Sequence, residues 1–390
     1  MVKYFAPPPP PFVDADRSLI AANPRAHWRA LQESPVFLDA SGYYYVTRRE
    51  DVLAALHDYA TFASRRRQMA RPRPGVRTLP IPVPIGYDPP EHSRFRRLLH
   101  PCFSPQAVDE LMPALRQQAA ELIGTVAPDG VCDGIRDIAN PFPFGVLVTL
   151  CGLPWADREM LAAWAEAVDW DIPGSAPATE LLNYLVAAIE GDQRPALAAH
   201  LLAGADPFTE DEVIGFYALL CFAQDGMQAA IGSALLHLAC DHQLQSLLRR
   251  EPDQMWAFVE ELLRLETPLP FIGRFTTRDV TIAGVTIPAG CVVRLCLAST
   301  NLDGSEEPWV TVAEDGRIRP KSHRSFAAGV HRCLGKALAR MELSVVVSEW
   351  LRAIPDFALE EGFIPRFLFT QGGSMTPASL PLQWGSGLPR

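Results

Sequence analysis

The chain has 390 residues, of which 48% are hydrophobic and 21% charged, a composition typical of a globular protein long enough to bury a large core. Its formal net charge of −10 argues against nucleic-acid binding, because neutralising phosphates takes an excess of Lys and Arg that the chain as a whole lacks. The eight cysteines are scattered without a C-x-x-C pair in a chain too large to depend on disulfides, which predicts a reduced, cytoplasmic protein.

The N-terminal residues contain five consecutive prolines at 7–11. Proline fixes φ and lacks an amide donor, so residues 1–17 are predicted to form an extended arm. No apolar signal core is seen here, and the apolar stretch at 142–155 is broken by prolines and glycines. Neither a leader nor a membrane anchor is therefore expected.

Hydrophobic periodicity predicts helices at 24–33 and 49–58, on either side of a strand at 42–47. From 62 to 90 prolines recur among several arginines, which indicates a long irregular segment, and loops of this length often shape a site. One or more arginines between Arg65 and Arg77 are expected to face an access route and favour a substrate with a carboxylate or another acceptor.

The rest of the chain is predicted to be mostly helical up to about residue 264, with a long apolar helix at 210–238 and another that ends in EELLR. Strands return at 280–297, around a turn at 288–290, and again near the C-terminus. The predicted fold is mainly α with a minor β region.

The segment FAAGVHRCLG at 326–335 is followed by a helical run, KALARMELSVVVSEWL. A cysteine just before a helix has its thiolate favoured by the positive helix end and by unpaired amides, which lower its pKa. Gly329 and Gly335 would let the backbone approach a flat cofactor, and Phe326 would pack beside it. A buried cysteine at a helix start is the commoner reading of Cys333 alone, but the combination predicts an anionic metal ligand.

This segment closely resembles the haem-binding loop of cytochromes P450, usually written F-G-x-G-x-H-x-C-x-G, with Ala327 in place of the first glycine. The resemblance runs from about 35 to 384 and includes IPAG at 287–290. It implies the family fold over 18–390, a triangular, mainly α domain with haem b between a long central helix and the cysteine loop. It also implies that the Cys333 thiolate ligates the iron and favours O–O cleavage.

Two further groups of residues resemble family features. Glu261 and Arg264 stand three apart on one helix face and match the E-x-x-R pair, which a further arginine normally completes. Arg317 and Arg319 both qualify as that arginine, and the sequence does not choose between them. Matched donors for the two haem propionates are expected from His92, Arg96, Arg274 and His331.

The central helix departs from the family pattern. The family typically carries A-G-x-(D/E)-T-T there, where the acid and the first threonine organise a proton relay. This chain has FAQDGM at 222–227, so Asp225 keeps the acid position and Gly226 replaces the threonine. A helix break is expected at Gly226, with ordered water, a substrate hydroxyl or an adjacent residue supplying the proton route; poor coupling with O2 is the alternative.

By resemblance, the substrate pocket draws on the 72–87 loop, the central helix, the strand entry after Pro268 and the turn near Ser374. The named candidates are Phe222, Ala223, Leu269, Phe271, Ile272 and Met375. Most are apolar, so a small apolar or aromatic organic substrate is expected.

The resemblance implies a monooxygenase that uses O2 and electrons from a ferredoxin-type redox partner with its reductase. No flavin or iron–sulfur centre, nucleic acid or membrane is expected. A basic face for the partner is predicted from Arg324, Arg332, Lys336 and Arg340. The alternatives are a peroxide-driven or oxidative-coupling haem-thiolate enzyme and, in another class, a non-catalytic haem-binding sensor. Non-haem metal is not expected, and His237 and His242 are interpreted as surface residues.

Overall fold

The computed structural model describes residues 28–29, 31–39, 42–64, 77–168, 175–302, 309–370 and 373–385. The arm expected at 1–17, part of the helix predicted at 24–33 and the arginines from Arg65 to Arg73 lie outside these residues.

Helices make up most of the described residues. In chain order they are α1 (Arg49–His57), α2 (Glu91–Leu99), α3 (Pro105–Val126), α4 (Pro141–Cys151), α5 (Arg158–Ala167), α6 (Ala176–Glu190), α7 (Ala196–Leu201), α8 (Glu210–Cys240), α9 (His242–Arg250), α10 (Met255–Glu266), α11 (Leu297–Asn301) and α12 (Lys336–Ala353). A π-helical turn, Gly134–Ala139, precedes α4.

The strands are short and form small sheets. They are β1 (Val36–Leu38), β2 (Tyr44–Val46), β3 (Phe62–Ala63), β4 (Val131–Asp133), β5 (Phe271–Thr276), β6 (Val280–Ile282), β7 (Val285–Ile287), β8 (Val292–Cys296), β9 (Phe357–Leu359), β10 (Phe367–Phe369), β11 (Met375–Pro377) and β12 (Pro381–Trp384). The sheet orders are β1-β2-β8-β5-β3, β4-β12-β9, β6-β7 and β10-β11. The expected fold class, mainly α with a minor β region, is confirmed.

The long apolar helix predicted at 210–238 is α8. Its start is fixed by a capping box, in which Thr209 Oγ1 accepts from the amide of Glu212 at 3.2 Å and the Glu212 carboxylate accepts from the amide of Thr209 at 2.8 Å. Among the described residues, α8 is the helix whose length and composition would allow it to span a membrane, yet 61% of its most apolar stretch is buried inside the molecule. Its apolar character is therefore that of a core helix.

The helices packed around α8 place the site. α8 contacts α4, α6, α10 and α12, and also strand β11. α12 packs against α3 and buries Trp350 and Leu343. In the five-stranded sheet, β5 pairs antiparallel with β8, and the register sets Arg274 opposite Val293. This arrangement leaves a space enclosed by α8, α4, β5, the segment before α12 and α12 itself.

Candidate active site

A cavity of about 610 Å³ lies between α8 and the segment 325–335, a volume usual for a ligand site. The helices contribute mainly apolar side chains to its wall. These include Val146, Leu147, Leu150, Phe216, Leu219, Leu220, Met227, Leu338 and Ala339. The surroundings are thus mostly apolar, with a few polar groups at defined places.

The segment 326–335 folds into a tight loop whose backbone bonds set the position of Cys333. The amide of Cys333 donates to the carbonyl of Phe326 at 2.9 Å. Gly329 has φ +69, and a Cβ on it would lie 2.1 Å from the carbonyl oxygen of Leu56, so no other residue fits there. Glycine is therefore needed at position 329 because the backbone packs closely against α1. Gly335 borders the cavity, where the sequence predicted it.

Cys333 lines the cavity together with Phe326, His331 and Gly335. Cys333 is exposed where it borders this cavity, although the surrounding protein is dense enough to desolvate the thiol. Burial raises the pKa of the Cys333 thiol and outweighs the amide of Gly335 and the nearby cations, which lower it. The amide of Gly335 and these cations therefore act in the expected direction, but burial has the larger effect on the pKa.

Ala327 has φ +55, the left-handed region that glycine adopts without strain. This is the position at which the sequence carries Ala327 where the resembled motif has glycine. The loop therefore keeps the backbone shape that the glycine would favour, at a small energetic cost.

The four expected cationic residues lie together on one side of the cavity, because His92, Arg96, Arg274 and His331 all line it. The rings of His92 and His331 have their centroids 4.2 Å apart. His331 Nε2 lies 3.0 Å from Asp88 Oδ1, and its buried Nδ1 has no partner among the described residues. Burial lowers the pKa of His92 to about 4, so this ring is neutral at pH 7.

Arg274 is 8% exposed, and burial lowers its pKa to about 10. Its guanidinium donates to the carbonyl of Gly273 at 2.7 Å, and it forms no ion pair among the described residues. Within the described part of the chain, the Arg96 guanidinium likewise donates to a carbonyl and not to a carboxylate; its acceptor is the carbonyl of Arg332, at 2.9 Å. Glu342 also lines the cavity, but neither guanidinium pairs with it among the described residues, so both fit a ligand that brings anionic groups.

The Glu261–Arg264 pair is buried on α10, where Arg264 Nε donates to Glu261 Oε2 at 2.9 Å. Neither Arg317 nor Arg319 completes it. Arg317 pairs with Asp253, and Arg319 pairs with Asp315 on its own exposed turn. The third contact comes instead from the backbone amide of Lys321, which donates to Glu261 Oε2 at 3.0 Å.

The pair is linked to the cysteine loop through Asn301. Arg264 Nη1 donates to the carbonyl of Asn301 at 3.0 Å, and the Asn301 amide side chain holds the amide of Arg324 at 2.6 Å and the hydroxyl of Ser325 at 2.8 Å. This role of Asn301 was not predicted from the sequence. The network therefore anchors the residues that lead into the loop.

On α8, Gly226 lines the cavity and Asp225 does not. The expected helix break at Gly226 is absent, since α8 is continuous from Glu210 to Cys240. One glycine costs about 1 kcal/mol in a helix interior, which the buried surroundings of this helix outweigh. Position 226 therefore has helical backbone and an open side-chain site.

Five of the six pocket candidates line the cavity: Phe222, Ala223, Leu269, Phe271 and Ile272. Met375 does not; it is buried at the start of β11, and its neighbour Ser374 faces the cavity instead. Successive side chains of an extended segment point to opposite sides, so only one of this pair could do so. Residues missed by the sequence reasoning include Gln224 and Glu342.

Two other expectations are corrected. His237 is 1% exposed, pairs with the buried Glu266 and packs its ring 4.7 Å from that of Trp309, so it belongs to the interior; His242 is exposed as expected. Arg77 lies on the surface between Glu190 and Asp211 and does not line the cavity. The other arginines of that loop lie outside the described residues.

Known proteins similar in sequence match this chain along most of its length. A probable cytochrome P450 127A1 of Sinorhizobium fredii is 33% identical over 359 residues, which cover 86% of this chain and 81% of the relative. The chain belongs to the cytochrome P450 family. The family model for cytochrome P450 matches residues 190–377. A vitamin D(3) 25-hydroxylase of Pseudonocardia autotrophica is 32% identical over 85% of this cytochrome P450 and 84% of the relative.

The solved structure of cytochrome P450 CYP109Q5 from Chondromyces apiculatus matches with a TM-score of 0.79 and 28% identity, covering 93% of this chain and 95% of that one. The fold and the family therefore agree. As a member of this family, the chain is a cytochrome P450 monooxygenase, an oxidoreductase whose cofactor is haem.

The residues around the cavity fit that cofactor. Cys333 supplies a sulfur, and His92, Arg96, Arg274 and His331 supply donors that lack an anionic partner inside the cavity. A haem held by thiolate supplies the chemistry that activates O2. Cys333 would hold the haem, the four donors would pair with its carboxylates, and the apolar side chains would border the rest of the cavity.

Proposed function

We propose that this cytochrome P450 inserts one atom of O2 into a small apolar or aromatic organic substrate in the cytoplasm, with electrons from a ferredoxin-type protein and its reductase. The observation that carries the proposal is one cavity that joins Cys333, four polar donors and an apolar wall. In this assignment Cys333 is the iron ligand, and His92, Arg96, Arg274 and His331 bind the haem carboxylates of haem b.

The substrate class is inferred from the side of the cavity that α8 and β5 form. Phe222, Ala223, Leu269, Phe271 and Ile272 offer apolar surface there, and few side chains in that part could pair with a charged substrate. Burying apolar surface contributes roughly 25 cal/mol per Å², so such a wall selects by shape and apolar area. One relative is named a vitamin D(3) 25-hydroxylase, and hydroxylation is the kind of oxygen insertion proposed for this chain.

The electron donor is inferred from charge at the cysteine loop. Arg332 is exposed, and the pKa of the neighbouring Lys336 is lowered by burial and by the cations Arg332, Arg340 and Arg96. Arg340 is compensated, since both its Nε and Nη2 bond to Glu260. The proposed docking surface is therefore centred on Arg332 and Lys336, with Arg324 beside it, and it would attract an acidic partner.

A peroxide-driven or oxidative-coupling reaction is the second candidate. Its basis is Gly226, which gives position 226 no side-chain donor on the wall of the cavity. A non-catalytic haem sensor is disfavoured, because relatives of this chain are named a hydroxylase and an epoxidase.

The central assignment is tested with carbon monoxide. The purified protein, reduced under CO, is expected to show the red-shifted Soret band of a thiolate-ligated haem, and Cys333→Ala should lose it. Cys291→Ala serves as the matched control, since Cys291 is half-buried outside the cavity, and it should keep the band. A Cys333→Ala protein that retained the band would contradict the assignment. Turnover with NADH and redox proteins, compared with turnover with peroxide, separates the two reactions.

A further inference from the structure

Gly226 leaves open a site on the face of α8 that borders the cavity. A Cβ built on Gly226 would have Ser374 Oγ as its neighbour at 4.0 Å, and no other atom outside the local helix comes within that distance. Both residues line the cavity. A hydroxyl carried by a side chain at 226 would extend one bond further into this space. The hydroxyl of Ser374 therefore stands at the edge of the volume that such a group would occupy.

The backbone of Ser374 is held firmly by the turn before β11. Its amide donates to Thr370 Oγ1 at 3.0 Å, its carbonyl accepts from the amide of Thr370 at 2.9 Å, and the next amide, of Met375, donates to the carbonyl of Pro268 at 2.8 Å. The residue is 3% exposed. Among the described residues, its side-chain oxygen has no hydrogen-bond partner, so the hydroxyl is positioned and available.

The other hydroxyl and amide side chains of the cavity wall are already engaged or lie elsewhere. Ser325 Oγ donates to the carbonyl of Leu263 at 2.6 Å and accepts from Asn301. The Gln224 side-chain nitrogen donates to the carbonyl of Leu220 at 2.7 Å. Ser64 belongs to the opposite, cationic side, where its amide donates to Asp88, the partner of His331. Ser374 is thus the hydroxyl that the described cavity wall offers at Gly226.

We propose, on the basis of the proposed function, that the Ser374 hydroxyl replaces the missing side-chain alcohol at position 226 and relays a proton to the O2 substrate. In this step the Ser374 hydroxyl gives its proton to oxygen that has been reduced by electrons from the redox partner, while Ser374 Oγ accepts a proton from a cavity water that bulk solvent reprotonates. The serine ends unchanged, and solvent supplies the proton. The proton donor that α8 lacks at position 226 is thus provided by Ser374, in the hairpin formed by β10 and β11.

The test compares Ser374→Ala, Ser374→Thr and Gly226→Thr, alone and with Ser374→Ala. Product formed per NADH is expected to fall about tenfold or more in Ser374→Ala, at the low end of what a positioned proton donor contributes, with peroxide released instead. The infrared CO stretch of the reduced CO complex should shift as well, because a hydrogen-bond donor near the ligand is lost. Ser374→Thr should keep both values, and Gly226→Thr should restore them in the Ser374→Ala background.

Thr376→Val is the matched control, because Thr376 is a buried hydroxyl of the same hairpin that bonds to the carbonyl of Pro377 and does not line the cavity. It should leave the CO stretch and the product ratio unchanged. A Ser374→Ala protein with wild-type values of both would overturn the proposal, as would a loss of product without a shift in the CO stretch and without rescue by Gly226→Thr.

The red-shifted Soret band separates this proposal from the proposed function. If Ser374→Ala keeps the band together with wild-type values of the product ratio and the CO stretch, only the role of Ser374 is wrong, whereas absence of the band in the wild type removes the proposed function itself. Should Ser374→Ala fail to fold, Gly226→Thr alone decides. With Ser374 already acting, the added threonine should bring no gain in product per NADH, and a severalfold gain would overturn the proposal.

Discussion

Arg264 lies one helical turn after Glu261 on α10 and donates to its carboxylate, while the same carboxylate also holds the backbone amide of Lys321. Removing one partner of a buried ion pair leaves the other charge uncompensated in the interior.

We therefore expect Arg264→Ala to lower the free energy of unfolding of the haem-loaded protein by about 3–5 kcal/mol. Arg319→Ala removes only an exposed pair with Asp315 and should cost under ~1 kcal/mol. Denaturant unfolding of both variants measures the difference. Equal losses would contradict the conclusion that Arg319 lies outside the network.

Arg274 is expected to retain haem rather than to stabilise the fold. It is buried without an ion pair among the described residues, so its charge needs an anion that the cofactor would bring. Arg274→Met should speed the transfer of haem to apomyoglobin by about tenfold or more, since a charge-assisted bond contributes about 1.5–3 kcal/mol. Arg278→Met is the control, because Arg278 bonds to Thr61 away from the cavity. Unchanged transfer in Arg274→Met would show that Arg274 does not hold the cofactor.

Replacing Ala327 with glycine should stabilise the protein. A φ of +55 costs an L-residue roughly 1–2 kcal/mol, and glycine removes this cost. The unfolded chain gains conformational entropy with glycine, which offsets about half of the stabilisation. Ala327→Gly is therefore expected to stabilise the protein by roughly 0.5–1 kcal/mol. Ala328→Gly, next in the loop and without a positive φ, should destabilise it by a similar amount. Thermal unfolding of the two variants should give shifts of opposite sign, and a lowered midpoint for Ala327→Gly would contradict the strain.

The parts of this site that could be predicted from sequence are those encoded locally. The spacing from Phe326 to Gly335 includes the ligand, the loop glycines and His331, and E-x-x-R places two side chains on one face of α10. Groups that meet only through tertiary packing could not be predicted. The amide of Lys321 reaches Glu261 across 60 residues, and Ser374 approaches Gly226 from a separate hairpin.

Burial is equally invisible in a single sequence. A histidine and a glutamate far apart along the chain give no sign that His237 and Glu266 form one buried pair, so His237 was assigned to the surface. The strand alternation that turns Met375 inward and Ser374 toward the cavity requires the register of β10 with β11, which only the paired hairpin sets.

Glu342 makes stability depend on pH. It is 3% exposed on α12, its Oε2 has no partner among the described residues, and burial raises its pKa from 4.5 to about 8. A raised carboxyl pKa means that the folded state keeps a proton that the unfolded state loses, so the contribution of Glu342 to stability is greatest below pH 4.5 and falls as the pH rises toward 8.

Glu342→Gln removes this dependence. At about 1.4 kcal/mol per pKa unit, the variant should be more stable than wild type by on the order of 3 kcal/mol at pH 7, with the difference vanishing near pH 4.5. Glu349→Gln, on the same helix, breaks an ion pair with Arg352 and should destabilise at pH 7. Unfolding measured at several pH values tests this, and a constant difference between wild type and Glu342→Gln would rule out the proton uptake.

Electron transfer should depend on Arg332 and Lys336. Arg332 is exposed at the cysteine loop, and the lowered pKa of Lys336 reflects burial and the positive charges around it, which include Arg332 and Arg96. A cluster of positive charges on one face accelerates encounter with an acidic protein. Salt screens this attraction, because the Debye length is about 8 Å at physiological ionic strength.

Arg332→Glu is therefore expected to slow reduction by an acidic ferredoxin by about tenfold at low salt, with the wild-type and variant rates converging as salt is added. The matched control is Arg250→Glu, which makes the same change of charge at an exposed position at the end of α9. Stopped-flow reduction under CO at several salt concentrations gives both rates. If the two variants were slowed equally, net charge rather than this surface would govern the encounter, and the docking surface would lie elsewhere.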